Sequence, residues 1–166
     1  LSDSDNVEAG HWALDMGPDD KRVLAGGYDQ KITMWKLPDD PWEAETDVTQ
    51  PVYSLPSGAG WVGGIRFSPD GSRFVVTGLG GLVEIRDADS GALLLELQHP
   101  AAVSQAKFTR DGKGLITAGW DGVTRVFTLD LQELTDLARS RATRSLTEEE
   151  CRQYLHVDAC PVEEGE

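Results

Sequence analysis

Two cysteines and a histidine near the carboxyl end are the residues whose types and spacing most suggest metal chemistry. Cys151, His156 and Cys160 form a C-x4-H-x3-C pattern. A structural zinc ion takes four ligands, and no further cysteine exists in the chain, so the pattern is one ligand short. A disulfide between Cys151 and Cys160 is an alternative, although two cysteines in 166 residues fit a reducing compartment. We predict no metal and no cofactor, and interpret both cysteines as part-buried thiols.

A second set of residues has the types that hydrolysis needs. Thr117, His99 and Asp121 could supply a hydroxyl, an imidazole and a carboxylate. The chain has three histidines, and none lies in a nucleophile motif such as G-x-S-x-G. The three residues also fall at regular places in an internal repeat, which favours a structural role. We therefore predict no catalytic residue.

Composition and charge exclude several classes of protein. The chain has 166 residues, of which 39% are apolar, and this is enough for one domain with a core. It carries 29 acidic and 15 basic residues, a formal net charge of −14. Nucleic acids and anionic membrane surfaces attract basic proteins, so we predict neither as a partner. No apolar run approaches the length of a membrane span, and the acidic residues 1–10 do not form a signal peptide.

An internal repeat decides the predicted fold. Three segments superimpose without gaps, and each contains two short apolar runs, a glycine-containing turn and a third apolar run. From Pro18 to Pro69 is 51 residues, and from Pro69 to the aligned Arg110 is 41. The runs are rich in Val, Ile, Leu, Phe and Thr, and a fourth short run precedes the second and third units, so each unit predicts four antiparallel strands. The segments start at His11, Trp61 and Val103, and their turns are Gly27-Tyr28-Asp29-Gln30, Gly78-Leu79-Gly80-Gly81 and Gly119-Trp120-Asp121-Gly122.

The turns Phe67-Ser68-Pro69-Asp70-Gly71 and Gly119-Trp120-Asp121-Gly122 resemble those of the WD40 family, and the resemblance covers about residues 11–129. It implies a β-propeller whose blades each contain a buried set of hydrogen-bonded His, Ser or Thr, Asp and Trp side chains. The matching residues are His99, Thr117 and Asp121 in the third unit and Asp29 and Trp35 in the first.

The match to this polar set is uneven. Phe127 stands where the third unit should have tryptophan, and Ala25 replaces the hydroxyl residue of the first unit. The second unit keeps Thr77 but has Gly80 for aspartate and Arg86 for tryptophan. We therefore expect divergent blades that packing stabilises more than the polar set does.

An insertion and a tail flank the repeats. Residues 38–51 add a loop with three prolines and five acidic residues, and within it Trp42 could contact a partner or fold back onto the blade edge. After Leu129, helix-start patterns begin at Asp130 and Thr147. This tail resembles the carboxyl ends of large bacterial WD40 signalling proteins, which implies that it packs against the propeller.

We predict an all-β fold, a partial WD40-type propeller of about three four-stranded antiparallel blades followed by two short α-helices. A propeller closes with at least four blades, so we expect the chain to belong to a larger protein. The predicted divisions are an acidic lead-in at 1–10, repeats at 11–129 with units at about 11–60, 61–101 and 102–129, and a helical tail at 130–166.

The predicted function is that of a non-catalytic, cytoplasmic module for protein–protein interaction or scaffolding, within a bacterial signalling or regulatory protein. Its partners would be other proteins or the missing blades of its own propeller. One alternative is an inert fragment of a multidomain ATPase, kinase or transcriptional regulator whose activity lies upstream. Another is a hydrolase with a site in the propeller channel.

Overall fold

The computed structural model of the protein describes residues 10–39 and 50–141, together with Thr147, Glu149, Arg152 and Gln153. The chain divides into two compact units, residues 1–129 and residues 130–166. Among the described residues, no helix is both long enough and apolar enough to cross a membrane.

The first unit consists of antiparallel sheets that follow one another along the chain, and we call them blades 1 to 3. Within each blade the strands pair in the order in which they occur in the sequence. Blade 1 contains β1 (His11–Met16), β2 (Arg22–Gly27), β3 (Lys31–Lys36) and β4 (Tyr53–Pro56); blade 2 contains β5 (Val62–Phe67), β6 (Arg73–Gly78), β7 (Leu82–Asp87) and β8 (Leu93–Gln98); blade 3 contains β9 (Val103–Phe108), β10 (Gly114–Gly119) and β11 (Thr124–Thr128). The predicted fold, a partial propeller with two complete blades and a third that lacks its outer strand, is confirmed for the described residues.

The turn between the first two strands of each blade shows that the repeat spacing of 51 and 41 residues is structural. In each blade, the residue after the first strand donates a backbone hydrogen bond of 2.8 Å to a carbonyl at the start of the second strand. The pairs are Gly17 with Arg22, Ser68 with Arg73 and Thr109 with Gly114. Residues 51 and 41 positions apart therefore occupy equivalent places in successive blades.

Two apolar clusters hold neighbouring blades together. The first cluster joins buried side chains of blades 1 and 2, among them Leu24, Met34 and Ile65. The second joins blades 2 and 3 through residues that include Val83, Phe108 and Leu115. Alternate side chains of a strand point to opposite faces, so blade 2 contributes one face to each cluster. Burial of these faces against each other is the main force that stacks the blades.

Strand pairing corrects one residue of the predicted polar set. Ala106 of β9 lies opposite Thr117, whereas its counterpart Ile65 in β5 lies opposite Val76. Val76 and not Thr77 is therefore the counterpart of Thr117 in blade 2. The prediction was therefore wrong by one residue. A shift of one residue along a strand places the side chain on the opposite face of the sheet. The hydroxyl of Thr77 is buried and has no hydrogen-bond partner among the described residues.

The second unit begins with helix α1 (Leu131–Arg141). The carboxylate of Asp130 accepts a hydrogen bond of 2.9 Å from the backbone N–H of Gln132, as the helix-start pattern predicts. The second predicted helix lies largely outside the described residues. Cys151, His156 and Cys160 all lie outside them, so the interpretation of the cysteines stays a prediction.

Candidate functional site: an aromatic groove

The turn after the second strand of each blade carries a large apolar side chain at the same repeat position. Tyr28, Leu79 and Trp120 come directly after β2, β6 and β10. Their side chains are 37%, 47% and 69% exposed. Such turns usually carry polar residues or glycine, because they face water. The repeat architecture therefore places three apolar side chains at the same end of the three blades.

These turns line a groove with a volume of about 350 Å³. Trp12 of β1 and Trp61, from the connection between β4 and β5, add two more exposed indole rings. The backbone of glycines at the strand ends and the first residues of β9 complete the lining. The residues lining the groove are Trp12, Gly27, Tyr28, Trp61, Val62, Gly63, Gly78, Leu79, Val103, Ser104, Gln105 and Trp120.

Edge-to-face contacts order the aromatic side of the groove. The rings of Trp12 and Tyr28 have centroids 5.5 Å apart and planes inclined at 61°. Those of Tyr28 and Trp61 are 4.9 Å apart and inclined at 83°. This geometry is favourable for aromatic pairs, so the three rings support one another although each is partly exposed. The groove wall is thus preorganised, which lowers the entropic cost of binding.

The groove does not depend on the two end blades alone. Blade 2 has a neighbouring blade on both faces, yet Leu79 remains 47% exposed. Gly63 of blade 2 and Ser104 of blade 3 occupy the position of Trp12, and they also line the groove. These repeat positions therefore stay open to solvent when a blade is flanked on both sides.

The lining suits the binding of an uncharged ligand surface. Among the described lining residues, none carries a formal charge. The hydroxyl of Ser104 donates to the carbonyl of Ala118 at 3.0 Å, whereas Gln105 is exposed and presents its amide. Within the described ranges, no group of three or more His, Cys, Asp or Glu side chains is arranged to hold a metal ion. Apolar contact with a few hydrogen bonds is the chemistry that this arrangement offers.

Comparison with known proteins agrees with the repeat. Residues 5–36 and 91–128 match the family model of the WD domain, G-beta repeat. The chain carries WD40 repeats. Together with the three stacked sheets, this match supports a partial WD40 propeller.

The chain is also similar to parts of several curated proteins. The chain is 29% identical over 135 residues to coronin-like protein crn1 of Schizosaccharomyces pombe, an alignment that covers 76% of this chain and 22% of that protein. It is 32% identical over 124 residues to coronin-7 of Pongo abelii, with 69% and 12% covered. Telomerase protein component 1 of Rattus norvegicus is 26% identical over 116 residues, with 70% and 4% covered. The chain thus spans less than a quarter of the length of each of these relatives.

In the third WD40 repeat, two of the predicted polar residues meet. Nε2 of His99 lies 2.9 Å from Oγ1 of Thr117, and both side chains are buried. The ring of Phe127, in the position of the expected tryptophan, stands edge-on to His99 with centroids 5.6 Å apart. Asp121 instead accepts hydrogen bonds from the side chain of Arg125 at 2.6 Å and from the backbone of Val123 at 3.1 Å. These bonds lower the pKa of Asp121.

In the first WD40 repeat, the two predicted residues, Asp29 and Trp35, make separate contacts. Asp29 accepts a hydrogen bond of 3.2 Å from the backbone of Lys31 and so stabilises the turn. Trp35 packs edge-on against His11, with centroids 5.5 Å apart.

The second WD40 repeat replaces the polar set with a buried ion pair. Glu84 is 1% exposed, and Nε of Arg86 lies 3.1 Å from its carboxylate. The same carboxylate accepts a hydrogen bond of 2.7 Å from the backbone N–H of Gly58. Arg86 also donates to the carbonyls of Gly91 and Pro56, at 2.9 and 3.1 Å. A charged network therefore joins β7 to the connection between blades 1 and 2.

Sequence reasoning missed the groove. Trp42, the predicted partner contact, lies outside the described residues. The groove residues come from separate repeats and fall in turns, so no single stretch of sequence reveals them. A usable signal was present, because Tyr28, Leu79 and Trp120 occupy one repeat position that usually carries a small or polar residue.

Proposed function

We propose that this chain is a non-catalytic protein-interaction module whose aromatic groove binds an uncharged, apolar segment of a partner protein. The observation that carries the proposal is the convergence of three tryptophans, a tyrosine and a leucine on one open groove. Tryptophan and tyrosine are enriched among the residues that dominate binding energy at protein interfaces.

Burial and charge support a protein ligand. An exposed apolar patch costs solubility, and such patches on soluble proteins commonly mark binding sites. The lining offers no charge for a phosphate or a metal ion, and its amide donor at Gln105 suits a peptide carbonyl. An extended segment with one or two apolar side chains would contact the rings and leave its backbone free to bond the groove edge.

The narrower parts of the proposal rest on the sequence. A cytoplasmic location follows from the two cysteines, and a bacterial signalling or regulatory protein follows from the resemblance of the tail. The relatives reported above come from a yeast and from mammals, and they lend no support to a bacterial source. The alternative of a fragment whose activity lies in another domain stays a prediction.

Selection from a phage-displayed library of random peptides tests the proposal. We expect the chain to enrich peptides with aromatic or aliphatic side chains and no net charge. Synthetic versions of these peptides should quench or shift the tryptophan fluorescence of the chain, because three indole rings line the groove. Enrichment of highly charged peptides that leave the fluorescence unchanged would contradict the proposal.

A further inference from the structure

The first strand of every blade contains a β-bulge at the same repeat position. In β1 the pairing with β2 shifts between His11 and Ala13, which makes Trp12 the extra residue. The same shift makes Gly63 the extra residue of β5 and Ser104 the extra residue of β9. A bulge re-aims the side chain that it carries, and these three extra residues all line the groove. The bulge position therefore decides how much side chain each blade adds to the groove.

The backbone of the bulge does not require the glycine of blade 2. The same bulge holds a tryptophan in blade 1 and a serine in blade 3, so its conformation accepts a side chain. Gly63 also lacks the positive φ that favours glycine over other residues. A glycine inside a strand weakens the strand, and it often marks a place where a ligand approaches closely.

Packing does not require this glycine either. Apart from its neighbours in the chain, a Cβ added at Gly63 would have a single atom within contact range, the carbonyl oxygen of Thr77 at 4.0 Å. The next residue is different, because a Cβ added at Gly64 would lie 2.6 Å from Oγ1 of Thr77 and 3.2 Å from the carbonyl oxygen of Ser104. Close packing thus explains Gly64, whereas Gly63 leaves the floor of the groove open.

Blade 1 shows what an aromatic ring at the bulge position contacts. Trp12 packs edge-to-face against Tyr28, the residue directly after β2, with ring centroids 5.5 Å apart. The equivalent of Tyr28 in blade 2 is Leu79, which is 47% exposed. Because Gly63 has no side chain, the bulge of blade 2 places no ring against this leucine. A ring above Gly63 would contact Leu79 as Trp12 contacts Tyr28.

We propose that Gly63 determines the specificity of the groove, because the partner segment inserts one aromatic side chain over it. This inference rests on the proposed function of the groove as a binding site for a protein segment. The partner's ring lies against the backbone of Gly63 and the side chain of Leu79, in the place that the indole of Trp12 takes in blade 1. A charged side chain is disfavoured there, because none of the described lining residues carries a charge to pair with it.

Parallel selections test the proposal. One random peptide library on phage is selected against the unaltered chain and against Gly63→Val, and both pools are sequenced. Valine fills the space above position 63, and its branched side chain suits a strand. We expect aromatic residues to be enriched in the pool from the unaltered chain and not in the pool from the variant.

A double-mutant cycle measures the contact itself. One peptide from the first pool is synthesised with its aromatic residue and with alanine in its place, and fluorescence anisotropy gives the Kd of each peptide for both chains. Alanine should weaken binding to the unaltered chain about thirtyfold, as expected for a residue that dominates an interface. The two peptides should bind Gly63→Val equally, because valine already excludes the ring.

Gly64→Ala is the matched control for folding. We expect Gly63→Val to keep the urea midpoint of the unaltered chain and Gly64→Ala to lower it, since only the second Cβ meets close atoms. If Gly63→Val lowers the midpoint as much as Gly64→Ala does, the glycine is structural and the proposal is overturned.

The outcomes also separate this inference from the proposed function. Selected peptides that lose affinity for Trp120→Ala but bind Gly63→Val as tightly as the unaltered chain would overturn the inference and leave the groove as the binding site. Selected peptides without aromatic residues would have the same meaning. Failure to select any peptide that is sensitive to Trp120→Ala would contradict the proposed function, and this inference with it.

Discussion

The buried ion pair of blade 2 gives the sharpest test of how this divergent repeat is stabilised. Replacement of Arg86 by leucine leaves the carboxylate of Glu84 buried at 1% exposure without its cation. Loss of one partner from a buried pair costs about 3–5 kcal/mol. Since a domain of this size is stabilised by about 5–15 kcal/mol, Arg86→Leu should remove a large part of the free energy of unfolding.

Neutralising the partner should recover much of that loss. Glu84→Gln keeps an oxygen for the N–H of Gly58, which lies 2.7 Å from the carboxylate, but it carries no charge. The double variant Arg86→Leu, Glu84→Gln should therefore be more stable than Arg86→Leu alone, although the hydrogen bonds to Gly91 and Pro56 stay lost. Urea unfolding followed by tryptophan fluorescence measures the free energies of the unaltered chain, the two single variants and the double variant. The double-mutant cycle built from these four values isolates the interaction.

The ion pair between Arg125 and Asp121 is the matched control. Its closest atoms are 2.6 Å apart, but the two side chains are 28% and 21% exposed. Partly solvated pairs contribute about 1 kcal/mol or less, so Arg125→Leu should cost far less than Arg86→Leu. The reasoning is refuted if both leucine variants lose the same stability, or if Glu84→Gln does not rescue Arg86→Leu.

Three further predictions concern the hydrogen bonds and turns of the blades. Thr117→Val should lower the free energy of unfolding in urea by about 1–3 kcal/mol, because it leaves buried His99 without its hydrogen-bond partner at 2.9 Å. Thr77→Val should cost little, since the Thr77 hydroxyl has no partner among the described residues, and equal losses for the two variants would contradict this account. Gly71→Ala should lower the melting temperature more than Gly122→Ala, although both glycines have a positive φ. A Cβ added at Gly71 would lie 2.8 Å from Nη2 of Arg22, whereas one added at Gly122 would have no atom within 4 Å. A larger effect at Gly122 would contradict this explanation. Hydrogen bonds from Ser68 and Ser72 lower the pKa of Asp70 from 3.8 to about 2. Its contribution to stability is therefore present above pH 3.8 and is lost as the pH falls towards 2. Asp70→Asn should make the free energy of unfolding depend less on pH over that range, and an unchanged pH profile would refute the assignment.

The sequence predicted the sheets because the repeat carries redundant signals. Apolar runs, turn glycines and spacings of 51 and 41 residues all indicate the same blade boundaries, and errors in one signal are corrected by the others. The position of a single polar side chain is easier to misplace. Val76 and Thr77 lie in one continuous apolar run, and the 41-residue spacing from Thr117 and the pairing of β5 with β6 both identify Val76 as the residue that faces blade 1.

The groove and the ion pair were harder to predict for different reasons. The groove depends on residues that are distant in sequence, such as Trp12 and Trp120, and it appears only when three blades are stacked. The substitution of Arg86 for tryptophan is visible in the sequence, but the repeat pattern does not indicate its ion-pair partner. Glu84 lies two residues earlier and therefore on the same face of the strand, so alternation alone could have revealed the pair.

The most direct test of the central claim compares one groove residue with one exposed leucine elsewhere. Trp120→Ala removes an exposed ring from the groove. Leu94→Ala removes an exposed apolar side chain from β8, which does not line the groove. Fluorescence anisotropy with a labelled, library-selected peptide measures the Kd of each variant. We predict that Trp120→Ala weakens binding by about tenfold or more and that Leu94→Ala leaves the Kd unchanged. Equal Kd values for Trp120→Ala and the unaltered chain, or a loss of binding in Leu94→Ala, would contradict the account.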